Sequence, residues 1–359
     1  MYDKRSFLSM KTHSAQEQSS LQADRRDRMV WSSRVRLARN LEGISFPGWS
    51  GESERAAVWE QVIHAVGEKA GLDAPIVQSM RDLDPLQRLI LQERRLISVE
   101  LATGDGACGV MYEEHGRLSI MVNEEDHLRI QSVAQGLALQ DAWRAAQALH
   151  LALEERLSFA FSTRYGYLTA CPSNVGTGIR ASVMVHLAGL RLLGELDAVV
   201  RGLERTGFAM RGISGEGSRA HGGFCQISNQ RTLGLDEAET LSSVDDMVQN
   251  VLSAEQNART RLSELSPWTL EDAVARAFAL VRHARLLPTG EALEHLSAIL
   301  LGIDKGLIKG VDPVFVQELV RDMQPGHLQL KYNKTLAAVD RDQYRSRHVR
   351  QALATMELV

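Results

Sequence analysis

Cys171-Pro-Ser-Asn-Val-Gly-Thr-Gly-Ile-Arg-Ala-Ser-Val-Met184 is a small-residue loop that runs through Gly176, Thr177 and Gly178 into Arg180. Glycine lets backbone N–H groups approach an anion closely, and a guanidinium adds a planar fork of donors that keeps its charge near neutral pH. The stretch therefore reads as a phosphate-holding loop. Neither common nucleotide fingerprint accompanies it: no lysine follows a G-x-x-x-x-G run, and no G-x-G-x-x-G opens a helix after a strand. A Thr-Gly turn also serves as a plain connection, so the surrounding chain has to decide.

On the C-terminal side of the loop, Ala181 to Leu193 reads as a helix, Phe208 to Met210 and Phe224 to Asn229 as strands, and Arg211 to Gly217 as a charged turn. Leu235-Asp236-Glu237 caps a helix that reaches about Ala258. On the N-terminal side, Phe159 to Thr169 reads as a strand, and Gly136 to Arg156 as an amphipathic helix with His150 on its wet face. Two short strands about the turn Glu114-His115-Gly116 predict a β-hairpin over Cys108–Val122. Leu86 to Leu101 begins as a helix and ends extended, and Glu52 to Gly71 has helical period. Residues 1–28 form a polar leader without sustained periodicity, taken as flexible, and order starts at Met29. From Arg261 to Val359 only helical patterns remain, broken at Pro288, Pro313 and Pro325. That change of class divides the chain into a mixed domain over 29–258 and a helical domain over 259–359.

The 359 residues, 44% hydrophobic and 24% charged, have the composition of a globular chain with room for two cores. A formal charge of −4 argues against a dedicated nucleic-acid surface. Three scattered cysteines, Cys108, Cys171 and Cys225, form neither a disulfide framework nor a CxxC metal site. No apolar run has membrane-spanning length and no signal-peptide core opens the chain, so the reading is a cytoplasmic protein.

Charged groups recur beside polar or glycine-rich turns. Ser32-Ser-Arg34-Val-Arg36 sets two arginines on one face of an extended segment, where they repel unless an anion sits between them. Asn123-Glu-Glu-Asp-His-Leu-Arg129 packs three acids, an imidazole and a guanidinium directly after an apolar strand. With Arg180 and Arg211 this makes five arginines, and Glu125 and Glu216 stand at comparable positions. Many arginines suit the spread negative charge of a transferring phosphoryl group, where catalysis is mostly positioning and electrostatic stabilisation. Each group alone also reads as a surface ion pair.

Four segments, Ser32–Arg36, Asn123–Arg129, Cys171–Ser182 and Arg211–Glu216, closely resemble in order the signature segments of the guanidino (phosphagen) kinases. The metazoan members carry a helical domain before this region, whereas here a short leader precedes it and about a hundred helical residues follow, a layout that resembles the bacterial protein arginine kinases. The resemblance implies an α+β catalytic domain, an antiparallel sheet flanked by helices, followed by a small all-α domain. It implies transfer of the ATP γ-phosphoryl group to arginine side chains of proteins, with Mg²⁺ on the phosphates rather than in an all-protein cage.

Residue by residue, the resemblance gives Glu125 as general base, Glu216 on the other side of the acceptor guanidinium, and Cys171 as the active-site cysteine. The nucleotide would be met by Ser32, Ser33, Arg34, Val35 and Arg36; by Arg95 and Arg129; by Arg180, Ala181, Ser182, Val183 and Met184; and by Arg211, Gly212, Ile213, Ser214, Gly215 and Glu216. A C-terminal R-D-x-x-R-A phosphoarginine motif appears as Arg341-Asp342-Gln-Tyr-Arg345-Ser346, with serine for alanine. Arg219 stands where the family often has an acid, and Arg95 where bacterial members often have histidine. The resemblance further implies a role in stress response and protein quality control, a zinc-binding activator adaptor, a heat-shock repressor among the substrates, a Clp protease downstream, and a homodimer. Two alternatives remain at this level: a module that binds phosphoarginine without making it, told apart by lack of turnover, and a kinase for free arginine, told apart by activity on the amino acid alone.

Overall fold

The structure, a computed structural model, describes residues 27–67, 72–212 and 221–359. The first two thirds run β1 (Val30–Arg39), α1 (Glu52–Gly67), β2 (Ile76–Ser79), α2 (Pro85–Glu93), α3 (Val99–Thr103), β3 (Gly109–Tyr112), β4 (Leu118–Val122), β5 (Leu128–Gln135) and α4 (Leu139–Glu154). They continue with β6 (Phe161–Ser162), β7 (Gly166–Tyr167), β8 (Ile179–His186), α5 (Ala188–Leu192), α6 (Leu196–Arg205), β9 (Phe208–Gly212), β10 (Phe224–Asn229) and α7 (Glu237–Leu265). The last third is α8 (Pro267–His283), α9 (Thr289–Asp304), β11 (Ile308–Lys309), α10 (Pro313–Asp322), α11 (Pro325–Tyr332), α12 (Ala338–Ala352) and β12 (Glu357–Leu358).

Eight strands form one antiparallel sheet in the order β2-β3-β4-β5-β1-β8-β10-β9, so the architecture is the α+β arrangement that the signature segments imply. Register assigns the two faces. Val35 pairs with Ala181 and Ser132, Leu37 with Ile179 and Ile130, and Cys225 with Val185. These side chains enter a core built with the inner faces of α4 and α7. Each Val, Ile or Leu fully buried there contributes roughly 1.5–3 kcal/mol. On the opposite face, α2, α3 and the turn between them cover the β2–β3–β4 end, packing Leu91, Leu96 and Leu101 on Val110, Tyr112 and Met121. The centre of that second face is left to polar side chains.

Helix α7 begins at Asp236, whose side chain accepts the Glu239 amide while Glu239 reaches back to the Asp236 amide, the capping box the sequence encodes. It runs past Ala258 to Leu265 and changes partners on the way: Ala258 packs in the sheet core and Leu262 in the core of the last third. Buried Glu255 accepts the Gly189 and Leu190 amides at 2.8 and 2.9 Å and the Arg259 Nε at 2.6 Å. Arg259 then reaches the His186 carbonyl at 3.1 Å and Asp304 at 3.3 Å, which ties sheet, α5, α7 and α9 together.

Several local expectations change. Ala181–Leu193 is not a helix leaving the loop: Ile179–His186 is the central strand β8, with only the short α5 after it. Its small and branched residues alternate between core and second face, and that two-residue period outweighs the helical reading. Leu86–Leu101 does not end extended, because Ser98 caps the helix α3 by accepting the Leu101 amide. Phe159–Thr169 breaks into the two-residue strands β6 and β7. His150 is buried rather than wet; its Nε2 lies 3.0 Å from the Tyr167 hydroxyl, and burial pulls its pKa down to about 4. The last third is helical apart from the β11–β12 pair.

Candidate active site

Arg36 lies directly opposite Arg180 across the β1–β8 pair, and Arg34 is two residues away on the same face. Arg129 pairs with Ala38, again on that face, and Arg211 pairs with Gln226, which pairs with Met184. Antiparallel register thus gathers Arg34, Arg36, Arg129, Arg180 and Arg211, drawn from four strands, on the centre of the sheet's second face. Burial, and then Arg95, Arg129 and Arg180, pull the Arg34 pKa down to about 9. Arg36 is driven well below its ordinary value by burial and by Arg34, Arg129 and Arg180. Burial alone takes Arg95 to about 10. Arg34 donates to Gln226 Oε1 at 2.8 Å, and the buried Nε of Arg36 has no partner among the described residues. Guanidinium groups that weaken one another in this way have the charge to receive a polyanion.

The acids stand at one edge of this face. Glu124 is 3% exposed and holds Arg129 at 2.9 Å, whereas Glu125 is 43% exposed with an oxygen 3.7 Å from Arg129. Glu124 therefore orients an arginine, and Glu125 faces outward. Burial, then the neighbouring Asp126, raise the Glu125 pKa above that of a free carboxyl, and a hydrogen bond with the Cys171 side chain works the other way. Asp126 is buried and accepts Asn40 Nδ2 at 2.6 Å and the Ala170 amide at 2.7 Å. It clamps the Cys171 loop to the acid loop. Thr169 Oγ1 donates to the Cys171 carbonyl at 2.8 Å, and Cys171 Sγ lies 3.0 Å from Ser173 Oγ. His127 is structural, its Nδ1 accepting the Leu41 amide and its Nε2 donating to the Ser45 carbonyl, both at 3.0 Å.

The glycine-rich loop differs from its expected role as a backbone cradle. The Gly176 and Thr177 amides donate to the Tyr167 and Thr232 carbonyls at 3.3 and 3.1 Å, and the Ala181 amide to Asn229 Oδ1 at 2.9 Å. Those donors are spent inside the protein. Gly176, at φ +113°, is needed because a Cβ would lie 2.3 Å from the Thr232 carbonyl oxygen; at Gly178, φ +63°, it would lie 2.7 Å from that of Ala38. The loop brings chains together, and its direct contribution to the arginine face is the side chain of Arg180.

Other predicted residues spread out. Val35, Ala181 and Val183 turn into the core, and Ser33 is buried, bridging the Gly136 carbonyl and the Ala138 amide at 2.9 Å each. Ser182 and Met184 share the arginine face. Ser32 and Gly212 lie on β1 and β9, while Ile213, Ser214, Gly215, Glu216 and Arg219 lie outside the described residues. Cys108 and Cys225 are buried thiols, and burial raises both pKa values. In α12, Arg345 is 1% exposed; its Nε donates to the Met323 carbonyl at 2.9 Å, and its Nη1 to the Leu287 carbonyl at 2.8 Å and Asp342 at 2.6 Å. Ser346 Oγ donates to the Ala284 carbonyl at 2.6 Å, which leaves Arg341 and Asp342 as the partly exposed members of that motif. Sequence reasoning missed Glu124, Asp126, Gln131 and Gln226. The acidic triplet was a signal for the first two, but nothing local marks the glutamines, which pairing alone brings to the face. Among the described residues, no cluster of three His, Cys, Asp or Glu side chains could hold a metal ion.

Comparison with known proteins identifies the family. Residues 57–258 match the family model of the ATP:guanido phosphotransferase C-terminal catalytic domain, and residues 267–358 that of the protein-arginine kinase McsB C-terminal domain. A protein-arginine kinase of Moorella thermoacetica is 42% identical over 347 residues, covering 94% of this chain and 96% of its own. One from Syntrophomonas wolfei is 41% identical, covering 92% of each chain. Among solved structures, a duplicated taurocyamine kinase from Schistosoma mansoni with bound transition-state-analogue components superposes with a TM-score of 0.56 at 26% identity, over 63% of this chain and 33% of that one. A lombricine kinase superposes at 0.55 and 27%, over 64% and 67% of the two chains.

Proposed function

The chain belongs to the ATP:guanido phosphotransferases as a protein-arginine kinase that moves the γ-phosphoryl group of ATP to arginine side chains of proteins, and we propose that it does so with Glu125 as general base on the edge of a five-arginine phosphate clamp. The acceptor guanidinium is protonated and a poor nucleophile, so the site must desolvate it, align one terminal nitrogen with phosphorus and remove a proton during attack. In this scheme the nitrogen forms the N–P bond, the bond from γ-phosphorus to the bridging oxygen breaks, ADP leaves, and Glu125 takes the proton. Arg34, Arg36, Arg129, Arg180 and Arg211 hold the phosphate oxygens, and Arg95 meets the nucleotide from the turn after α2. Cys171 lies beside the acceptor, and Glu216 holds its other side. Mg²⁺ bound to the nucleotide would neutralise phosphate charge, and a face lined by arginines, with no cluster of three His, Cys, Asp or Glu among the described residues, would hold it through the phosphates rather than through protein carboxylates.

The observation that carries this reading is the register that sets Arg36 against Arg180 with Arg34 beside them, next to an outward carboxyl whose pKa is raised. A base poised above the ordinary carboxylate range is better matched to proton removal near neutral pH. We also assign the catalytic domain to 29–258 and the helical domain to 259–359, supported by the change of core between Ala258 and Leu262. In the helical domain Arg341 and Asp342 would touch phosphoarginine, with Arg345 and Ser346 holding the motif in place. No described helix is long and apolar enough to cross a membrane. We place the protein in the cytoplasm, as a homodimer in stress response, acting on a heat-shock repressor among its substrates, with a zinc-binding adaptor as activator and a Clp protease receiving its products. Incubation with Mg·ATP and an arginine-rich protein should leave acid-labile, base-stable phosphate on arginine; label confined to Ser, Thr or Tyr would overturn the assignment.

A further inference from the structure

Glu93, the last residue of α2, is 9% exposed and belongs to a contact between the two halves of the chain that the mechanism above does not use. Its Oε1 accepts the Gly326 amide at 2.7 Å, and its Oε2 accepts the His327 amide at 2.9 Å and the His327 Nδ1 at 2.7 Å. The two amides belong to the first turn of α11, so a carboxylate from the catalytic domain satisfies the open N-terminus of a helix in the other domain. Gly326 makes room for it: a Cβ there would lie 2.9 Å from Glu93 Oε2 and 3.1 Å from Ile90 Cγ1.

Two residues on, the chain turns sharply. Arg95 is left-handed at φ +61°, its amide donates to the Gln92 carbonyl at 2.8 Å, and the Leu96 amide donates to the Leu91 carbonyl at 3.0 Å. This is the helix stop that glycine normally makes, built here on arginine. Gln131, on the arginine face of β5, donates to the Arg95 carbonyl at 2.8 Å, and the Arg95 charge acts on Arg34. A non-glycine residue in that conformation persists only where its surroundings hold it. Gln131 holds the far side of the turn, and the α11 N-terminus, through Glu93, holds the near side.

We propose that Glu93, clamped by Gly326 and His327, is a positioning residue that sets Arg95 on the nucleotide, so that the helical domain fixes ATP affinity. This rests on the reading of Arg95 as a nucleotide contact. The test is steady-state kinetics of the full-length protein with Mg·ATP and an arginine-rich protein substrate. Glu93→Ala and, as a milder second variant, Gly326→Ala should each raise KM for ATP about fivefold or more while KM for the protein substrate stays within about twofold. Glu93→Gln, which keeps one carbonyl acceptor, should recover part of the loss. In an Arg95→Ala background, Glu93→Ala should change KM for ATP by less than about twofold, the non-additivity expected of one connected unit. Additive effects in the double variant, or loss of kcat and both KM values together, would overturn the proposal while leaving Arg95 as a nucleotide contact. An Arg95→Ala enzyme with the wild-type KM for ATP would instead remove the nucleotide role of Arg95, and the proposal with it.

Discussion

Replacing Arg34 with methionine separates what the arginine face does for the fold from what it does for the ligand. Burial and three neighbouring guanidinium groups hold the Arg34 pKa near 9, so its charge is disfavoured in the folded protein. The sign follows from the depressed value: the penalty is fully present below about 9, where folded and unfolded states are both charged, and lifts as pH rises above it. At about 1.4 kcal/mol per pKa unit the penalty has an upper bound of about 5 kcal/mol. The residue keeps some contact with solvent, which screens the penalty, so only part of that bound applies. Methionine removes that cost but forfeits the charge-assisted hydrogen bond to Gln226, worth about 1.5–3 kcal/mol, so the two effects roughly offset each other. The nucleotide-free variant should therefore match the wild type at pH 7 within about 1 kcal/mol, a change of no more than about 2 °C in Tm. Saturating ATP at a hundred times Kd should stabilise the wild type by about 2.7 kcal/mol and the variant far less. Thermal unfolding with and without Mg·ATP reads both effects. A nucleotide-free Tm several degrees below wild type, or an undiminished ATP shift, would refute the idea that these arginines are held together for an anion.

Other consequences are simpler to check. Glu255→Ala leaves buried Arg259 with Asp304, at 3.3 Å, as its acidic partner and strips the acceptor from the Gly189 and Leu190 amides, and should cost about 3–5 kcal/mol, read as a lower urea midpoint. Arg95→Gly relieves a left-handed side chain and should keep or raise stability by up to about 1 kcal/mol while raising KM for ATP; unchanged KM would remove Arg95 from the site. Because burial and Asp126 raise the Glu125 pKa and the base must be ionised, kcat/KM should climb with pH through a limb above the ordinary glutamate value. A limb at or below that value would argue against Glu125 as the base.

Much of the site was legible because its motifs are local and each keeps a chemical signature. Arg34 and Arg36 alternate on an extended segment, and the structure keeps them on one face of β1. Glu124, Glu125 and Asp126 follow a strand, but burial alone separates their jobs: one orients Arg129, one faces outward, one clamps the Cys171 loop. The glycine loop misled because close chain approach and anion binding both select glycine, and only the hydrogen bonds to Tyr167 and Thr232 tell them apart. β8 was hidden because Ala181, Ser182 and Met184 carry weak strand preference, and its place is fixed by β1 and β10 on either side. Arg345 illustrates the same limit, since nothing in its sequence neighbourhood says that its guanidinium is spent on the Met323 and Leu287 carbonyls.

The most direct test of the catalytic scheme is the Glu125→Gln variant, assayed side by side for phosphoarginine formation and for Mg·ATP binding. Glutamine keeps the shape and hydrogen-bonding reach of the side chain but cannot take the proton. Transfer should fall by at least about a hundredfold while ATP affinity stays within a few-fold. Transfer near the wild-type rate, or loss of nucleotide binding along with it, would contradict the assignment of Glu125 as the base that acts on the acceptor arginine.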